Sequence, residues 1–377
     1  MVSIWPQVSV ESENYERFRS DNLLVRSERG LDLHMSFGGP SAFLDVTNAE
    51  ARSTMWDIVR RNYHDAGVRL FWLDEAEPEY GVYDFDNFRY RLGSNVQVGN
   101  IYPQHFARAF FDGQTGDGQQ QVVNLLRTAW AGSQRYGALV WSGDIQSTFA
   151  ALRSQITAGI HMGVAGIPWF TTDIGGFHGG RTDDPDFREL LIRWFQFGTF
   201  CPVMRLHGDR VPSADVYAAD GSRRSPTGAA NEVWSYGADV YGVLERYLHL
   251  REALRPYTRD TMRDAHTNGQ PVMRGLFHEF PDDPQSWVIA DQYLFGRDLL
   301  VAPVVQAGAR RRRVYLPAGA TWTDVATGMT TAGGTWRDVE APLGEIPLFL
   351  RGGAAPSLVA ALDAFQAATS APRGGGA

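Results

Sequence analysis

Six short apolar runs recur through the chain: "VSIWP" at 2–6, "LFWLD" at 70–74, "VVNLLR" at 122–127, "ALVWSGD" at 138–144, "AGIPWFTTD" at 165–173 and "PVMRLHG" at 202–208. They are continuously apolar rather than alternating, which is the pattern of strands buried on both faces. Segments of helical period lie between them. Thr47 with Glu50 forms a capping box ahead of Met55, Ile58 and Val59, with a stop at Gly67. Residues 147–161 place Phe149, Leu152, Ile156 and Ile160 on one face, and residues 186–197 do the same with Phe187, Leu190, Leu191, Trp194 and Phe195. A longer pattern over 238–264 contains Pro256, where a break is expected. Repeated strand–helix units require a parallel sheet, and this many predict a TIM-type (β/α)8 barrel, of which about six strands are legible.

The pattern changes near residue 285. "YLFGRDLLVAPVV", "RRRRVYLPAG", "TWTDV" and "EIPLFLRGG" are short strands punctuated by Gly and Pro, with no helical period between them. The expected organisation is therefore a barrel over 1–285, a small all-β sandwich-like domain over 286–355, and a short helix with a flexible tail over 356–377. The charge run Arg310 to Arg313 is expected to form a solvated strand edge.

Composition narrows the function. A net charge of −8 argues against nucleic acid or an anionic membrane as a partner. All 35 basic residues are Arg, so neither a Schiff-base nor a phosphate-loop lysine is available. One cysteine, Cys201, excludes an internal disulfide framework. The start "MVSIWPQVSV" has no signal-peptide pattern, which makes cytoplasmic the expectation for this chain. Oligomeric state is not legible.

Polar residues cluster where the apolar runs end, which in a (β/α) barrel is the catalytic face. Asp74 follows "LFWL", Arg127 ends "VVNLL", Asp144 follows "ALVWSG", Asp173 follows "IPWFTT", and Arg205 and His207 follow "PVM". A single loop acid is usually only solvated. Acids and bases at successive strand ends, beside Trp72, Trp141, Trp169 and Phe177, point instead to a sugar pocket. Two separated acids flanked by Trp suit glycosidic bond hydrolysis, where one carboxylate attacks the anomeric carbon and the other protonates the leaving oxygen. Clustered acids could also hold a divalent metal, but the nine histidines include no HxH or HExxH spacing, and no metal or cofactor is expected.

The blocks "FWLDEAEPE", "LLRTAWAGSQRYGALVWSGD", "IPWFTTDIGGF", "FQFGTFCPVMRLHG" and "VYLPAGATWTDVATG…APLGEIPLFLRGG" resemble glycoside hydrolase family 31, over residues 1–353. The resemblance implies a retaining α-glycosidase acting on an oligosaccharide or glycoside, with "LDEAEPE" nearer the α-xylosidase-like branch than the α-glucosidases. By the same resemblance Asp74 is the nucleophile and Asp144 the acid/base. Arg127, Asp173 and His207 contact sugar hydroxyls, and Arg205 either joins them or braces the loop. Trp72, Trp141 and Phe177 supply aromatic walls, and Glu77 braces the loop. Trp169 is a further substrate-binding candidate from its place beside these strand ends. Glu75 and Glu79 are expected to be solvated. Against the family, "VSIWP" resembles the third barrel strand, and six strands cannot close a barrel whose tilt and stagger presuppose eight. These 377 residues alone are thus expected to be neither a robust monomer nor a competent α-glycosidase. The alternative readings are an inactive fragment, an α-galactosidase or an α-transglycosylase of the same family.

Overall fold

A computed structural model describes residues 1–36, 39–78 and 85–370. Two compact units divide the chain, Met1–Trp141 and Ser142–Ala377.

The first unit is built on four parallel strands, Val2–Ile4, Phe71–Leu73, Asn124–Leu126 and Ala138–Val140, adjacent in that order. Val2 pairs with Phe71, Trp72 with Leu125, and Leu139 with Leu125. Phe71 and Leu73 are fully buried and Asn124–Leu126 and Ala138–Val140 are buried throughout, so three of the apolar runs form two-sided interior strands. Val2–Ile4 is only partly buried, and its Ser3 is exposed. Asn124, the polar residue inside "VVNLL", is buried and hydrogen-bonded at both ends of its amide. Its Oδ1 accepts the Phe71 N–H at 3.0 Å and its Nδ2 donates to Gln114 Oε1 at 2.7 Å.

The Ala49–Val59 helix has its cap one residue later than the sequence pattern predicts. Asn48 Oδ1 accepts the Glu50 N–H at 3.0 Å, while the Thr47 hydroxyl donates to buried Asp45 at 2.6 Å. Thr47 is already engaged, so the box does not form. The sequence reading also misses the helix Tyr102–Gly116, whose buried face carries Tyr102, Phe106 and Phe110. Their spacing of four is a helical signal; the missing cap residue hides the start, which Pro103 marks instead.

In the second unit Thr148 caps the helix Phe149–Val164, and Asp184 caps Pro185–Thr199. The 238–264 pattern breaks as expected, into Ala238–Ala253 and Arg255–Asn268, with Pro256 in the first turn of the latter. The runs at 165–173 and 202–208 lie side by side, with the Val203 N–H on the Phe170 carbonyl at 3.1 Å and the Ile174 N–H on the Arg205 carbonyl at 3.3 Å. Pro168 and Pro202 have no N–H to extend this into a longer ladder. An unexpected hairpin follows, Asp209–Tyr217 with Arg223–Ala229. Its first strand buries only Arg210, so no alternating pattern announces it; the Asp220–Gly221 pair is the one turn signal.

Beyond residue 272 the strands are antiparallel. A six-stranded sheet orders Met273–Arg274, Tyr293–Phe295, Leu299–Val301, Leu348–Arg351, Thr321–Asp324 and Thr330–Ala332, and Arg311–Leu316 pairs with Thr335–Glu340. Trp322, Leu294, Leu300 and Phe349 pack its core. Buried Arg193 ties the helix Pro185–Thr199 to this β region by donating to the carbonyls of Ala309, Ala341, Pro342 and Glu345. The arginine run is not uniformly a solvated edge. Arg310, Arg311 and Arg313 are exposed, but the Arg312 side chain is only 8% exposed and pairs with Asp291 at 3.0 Å. Strand alternation turns that one guanidinium inward, where a carboxylate awaits it. The final helix is Pro356–Ser370. Among the described residues, no helix is long and apolar enough to cross a membrane.

Candidate active site

The backbone ladder of the first unit runs one residue past each strand and sets its polar edge. Asp74 donates its N–H to the Ile4 carbonyl at 3.2 Å, Arg127 to Leu73 at 3.2 Å, and Trp141 to Leu126 at 3.2 Å. Asp74, Arg127 and Trp141 therefore leave neighbouring strands at their C-terminal ends. Trp72 and Trp141 meet edge to face, with ring centroids 5.4 Å apart at 90°.

One guanidinium gathers the carboxylates of Asp74, Glu75 and Glu77. Arg127 Nη1 lies 2.6 Å from Glu75 Oε1 and 3.8 Å from Asp74 Oδ1, while its Nε lies 2.9 Å from Glu77 Oε1. Glu77, expected to brace this loop, is thus an ion-pair partner of Arg127. Glu75 corrects the sequence reading: it is 6% exposed rather than solvated. Its backbone is also left-handed, at φ 54°, a conformation that costs a residue with a Cβ about 1–3 kcal/mol. That turn brings the Glu75 N–H to Asp74 Oδ1 at 3.1 Å. Glu79 lies outside the described residues.

The second unit carries the remaining candidates. Asp144 is exposed, and Asp173 is fully buried in an ion pair with Arg205. Burial pushes the Asp173 carboxyl up to about 6; Arg205 pulls it down, and the charge of Asp144 adds to the rise. His207 stacks on Phe177, with centroids 5.5 Å apart and planes 28° from parallel. Burial, with the Arg205 and Arg210 charges, pushes His207 down to about 4, so its imidazole is neutral at ordinary pH and can both donate and accept. Trp169 is half-buried in the segment that leads to Asp173.

Phe177 is fixed through its backbone, donating to Ile145 at 2.8 Å and accepting from the Asp209 N–H at 2.8 Å. The turn before it needs glycine: Gly176 has φ 80°, and a Cβ there would meet the Gln146 carbonyl at 2.7 Å. Beneath these segments sits Arg210, fully buried and unforeseen from sequence. It donates to the carbonyls of Ile174, Gly176 and Gly179, to Ser147 Oγ and to Asn231 Oδ1, and its guanidinium lies 4.8 Å from the Phe187 ring centre. Only its position two residues after the "LHG" segment that carries His207 hints at such a role. Leaving a buried acceptor unpaired costs about 1–3 kcal/mol. Arg210→Met, which strips several at once, is expected to lower stability by at least about 3 kcal/mol. A urea titration that places the variant within about 1 kcal/mol of wild type would contradict this hub role.

Parallel strands ending in acids, arginine and indole rings, followed by antiparallel sheets, are the layout of a TIM-barrel domain with a carboxylate-rich edge and a C-terminal β domain. The chain belongs to glycoside hydrolase family 31: residues 1–260 match the family 31 TIM-barrel domain and residues 269–355 the family 31 C-terminal domain. A soil-metagenome α-xylosidase of this family, solved with xylose, superposes with a TM-score of 0.92 at 56% identity, covering 96% of this chain and 54% of that one. The α-xylosidase of Saccharolobus solfataricus is 33% identical over 94% of this chain and 45% of its own length. An uncharacterised family 31 glucosidase of Pseudescherichia vulneris is 54% identical over 56% of this chain and 40% of its own. The chain spans about half the length of the relatives it matches.

Proposed function

We propose that this chain carries the catalytic residues of a retaining α-glycoside hydrolase of α-xylosidase type. Asp74 Oδ attacks the anomeric carbon of a terminal α-linked sugar as the bond to the leaving oxygen breaks. Asp144 gives its proton to that oxygen. A β-linked glycosyl-aspartate results, and water, deprotonated by Asp144, then releases the α-sugar. Arg127, Asp173, Arg205 and His207 hold hydroxyls, and Trp72, Trp141, Trp169 and Phe177 form the walls. The reaction as drawn uses no cofactor.

The observation that carries this reading is Asp74 at the end of an interior parallel strand, its Oδ1 oriented by the Glu75 N–H at 3.1 Å, in a chain 56% identical to a solved α-xylosidase. Asp173 is the drier acid, and the general rule would make it the proton donor. Its ion pair with Arg205 argues otherwise, because a carboxylate so held and fully buried has no ready route for proton exchange. The exposed Asp144 can reload from water.

The test is a chimera in which this chain replaces the matching part of the soil-metagenome α-xylosidase, so that its carboxylates act within an eight-stranded barrel. The chimera is expected to hydrolyse an aryl α-xyloside faster than the aryl α-glucoside, with α-xylose as the first product by proton NMR. Release of β-xylose first, or a folded chimera with no hydrolysis of either, contradicts the proposal.

A further inference from the structure

We propose that Glu75 is a positioning residue for the nucleophile: it draws the Arg127 guanidinium off Asp74 and fixes the Asp74 carboxylate through its own N–H. This rests on the reading of Asp74 as nucleophile.

Among the described residues, three carboxylates approach one guanidinium, and the distances rank them. Arg127 Nη1 lies 2.6 Å from Glu75 Oε1, its Nε lies 2.9 Å from Glu77 Oε1, and Asp74 Oδ1 is left 3.8 Å from Nη1. The two shorter contacts are within charge-assisted hydrogen-bond range, and the third is not. A nucleophile bonded closely to a guanidinium would have its charge withdrawn from the anomeric carbon it must attack. With Glu75 in place, the guanidinium still orders the loop, but among the described residues its nearest charge contact is to a group that does no chemistry.

The backbone points the same way. Glu75 takes a left-handed φ of 54°, where a side chain with a Cβ is disfavoured, although the position immediately follows the proposed nucleophile. In that conformation the side chain reaches Arg127 while the N–H reaches Asp74 Oδ1 at 3.1 Å. A solvated loop acid needs neither the burial nor the backbone turn. Both are accounted for if one residue must hold the arginine away from Asp74 and hold the Asp74 oxygen in place.

The test reads the Asp74 carboxyl directly, without turnover. In the chimera with carbon-13 at the aspartate carboxyls, Asp74→Asn identifies the resonance. Glu75→Gln and Glu75→Gly are then compared with wild type; Gly accepts the left-handed backbone and so guards against loss of fold. Both variants are expected to lower the Asp74 titration midpoint by about one unit, because the released guanidinium swings onto Asp74. Most of that shift is expected to vanish in an Arg127→Met background. The acid limb of kcat/KM in the chimera, measured with the same variants, gives a second reading of the same shift, with KM little changed. An unmoved midpoint, or an equal shift with and without Arg127, overturns the proposal, the latter because Glu75 would then act as a bare charge. Failure of the nucleophile reading looks different: the chimera would hydrolyse substrate with Asp74→Asn fully active.

Discussion

Asp74→Gly in the chimera is expected to lower kcat on every α-glycoside by at least about 10⁴-fold, since no other group can take its place in the covalent step. Added azide should restore part of the rate, occupying the space the carboxylate leaves. Azide then attacks from the face opposite the leaving group, and the product is the β-glycosyl azide, inverted relative to the substrate. Proton NMR of that product is the check. An α-azide, or a loss of less than about tenfold, would assign the nucleophile elsewhere.

Asp144→Ala is expected to separate substrates by leaving group. A poor leaving group such as a sugar hydroxyl needs the proton and should lose about 10²–10⁴-fold in kcat/KM, whereas a glycosyl fluoride needs little protonation and should lose far less. The glycosyl-enzyme should then accumulate, because the general base for water is also gone. Azide, which needs no base, should speed its breakdown and yield the α-glycosyl azide, by attack on the β-linked intermediate. The two variants thus give azides of opposite configuration. Equal losses on fluoride and on disaccharide would remove Asp144 from the acid/base role.

The strand ends that carry part of the candidate site were legible because they can be read locally. An apolar run that stops at an acid or arginine leaves that residue at the end of its strand, and Asp74, Arg127 and Trp141 do leave the ends of adjacent strands. Glu75 was misread because a run of acids after a strand looks solvated. Its burial depends on Arg127, 52 residues further along, reaching back to it. Arg210 was invisible for a similar reason: its acceptors are carbonyls from 174 to 179, and backbone groups leave no mark in a sequence. The cap shifted from Thr47 to Asn48 because Asp45 had already taken the threonine hydroxyl.

The sequence by itself determined three of the interior strands, the helix break at Pro256 and the change to antiparallel sheets. Each follows from periodicity or from a proline or glycine acting within a few residues. Only the tertiary structure decided which charges are paired: that Glu75 rather than Asp74 holds Arg127 most closely, that Asp173 is locked to Arg205, and that His207 lies against Phe177 beside a buried arginine. The physical reason is distance. Apolar burial is encoded in the local pattern of the chain, whereas an ion pair depends on a few ångströms between residues far apart in sequence, and those separations exist only once the strands have aligned.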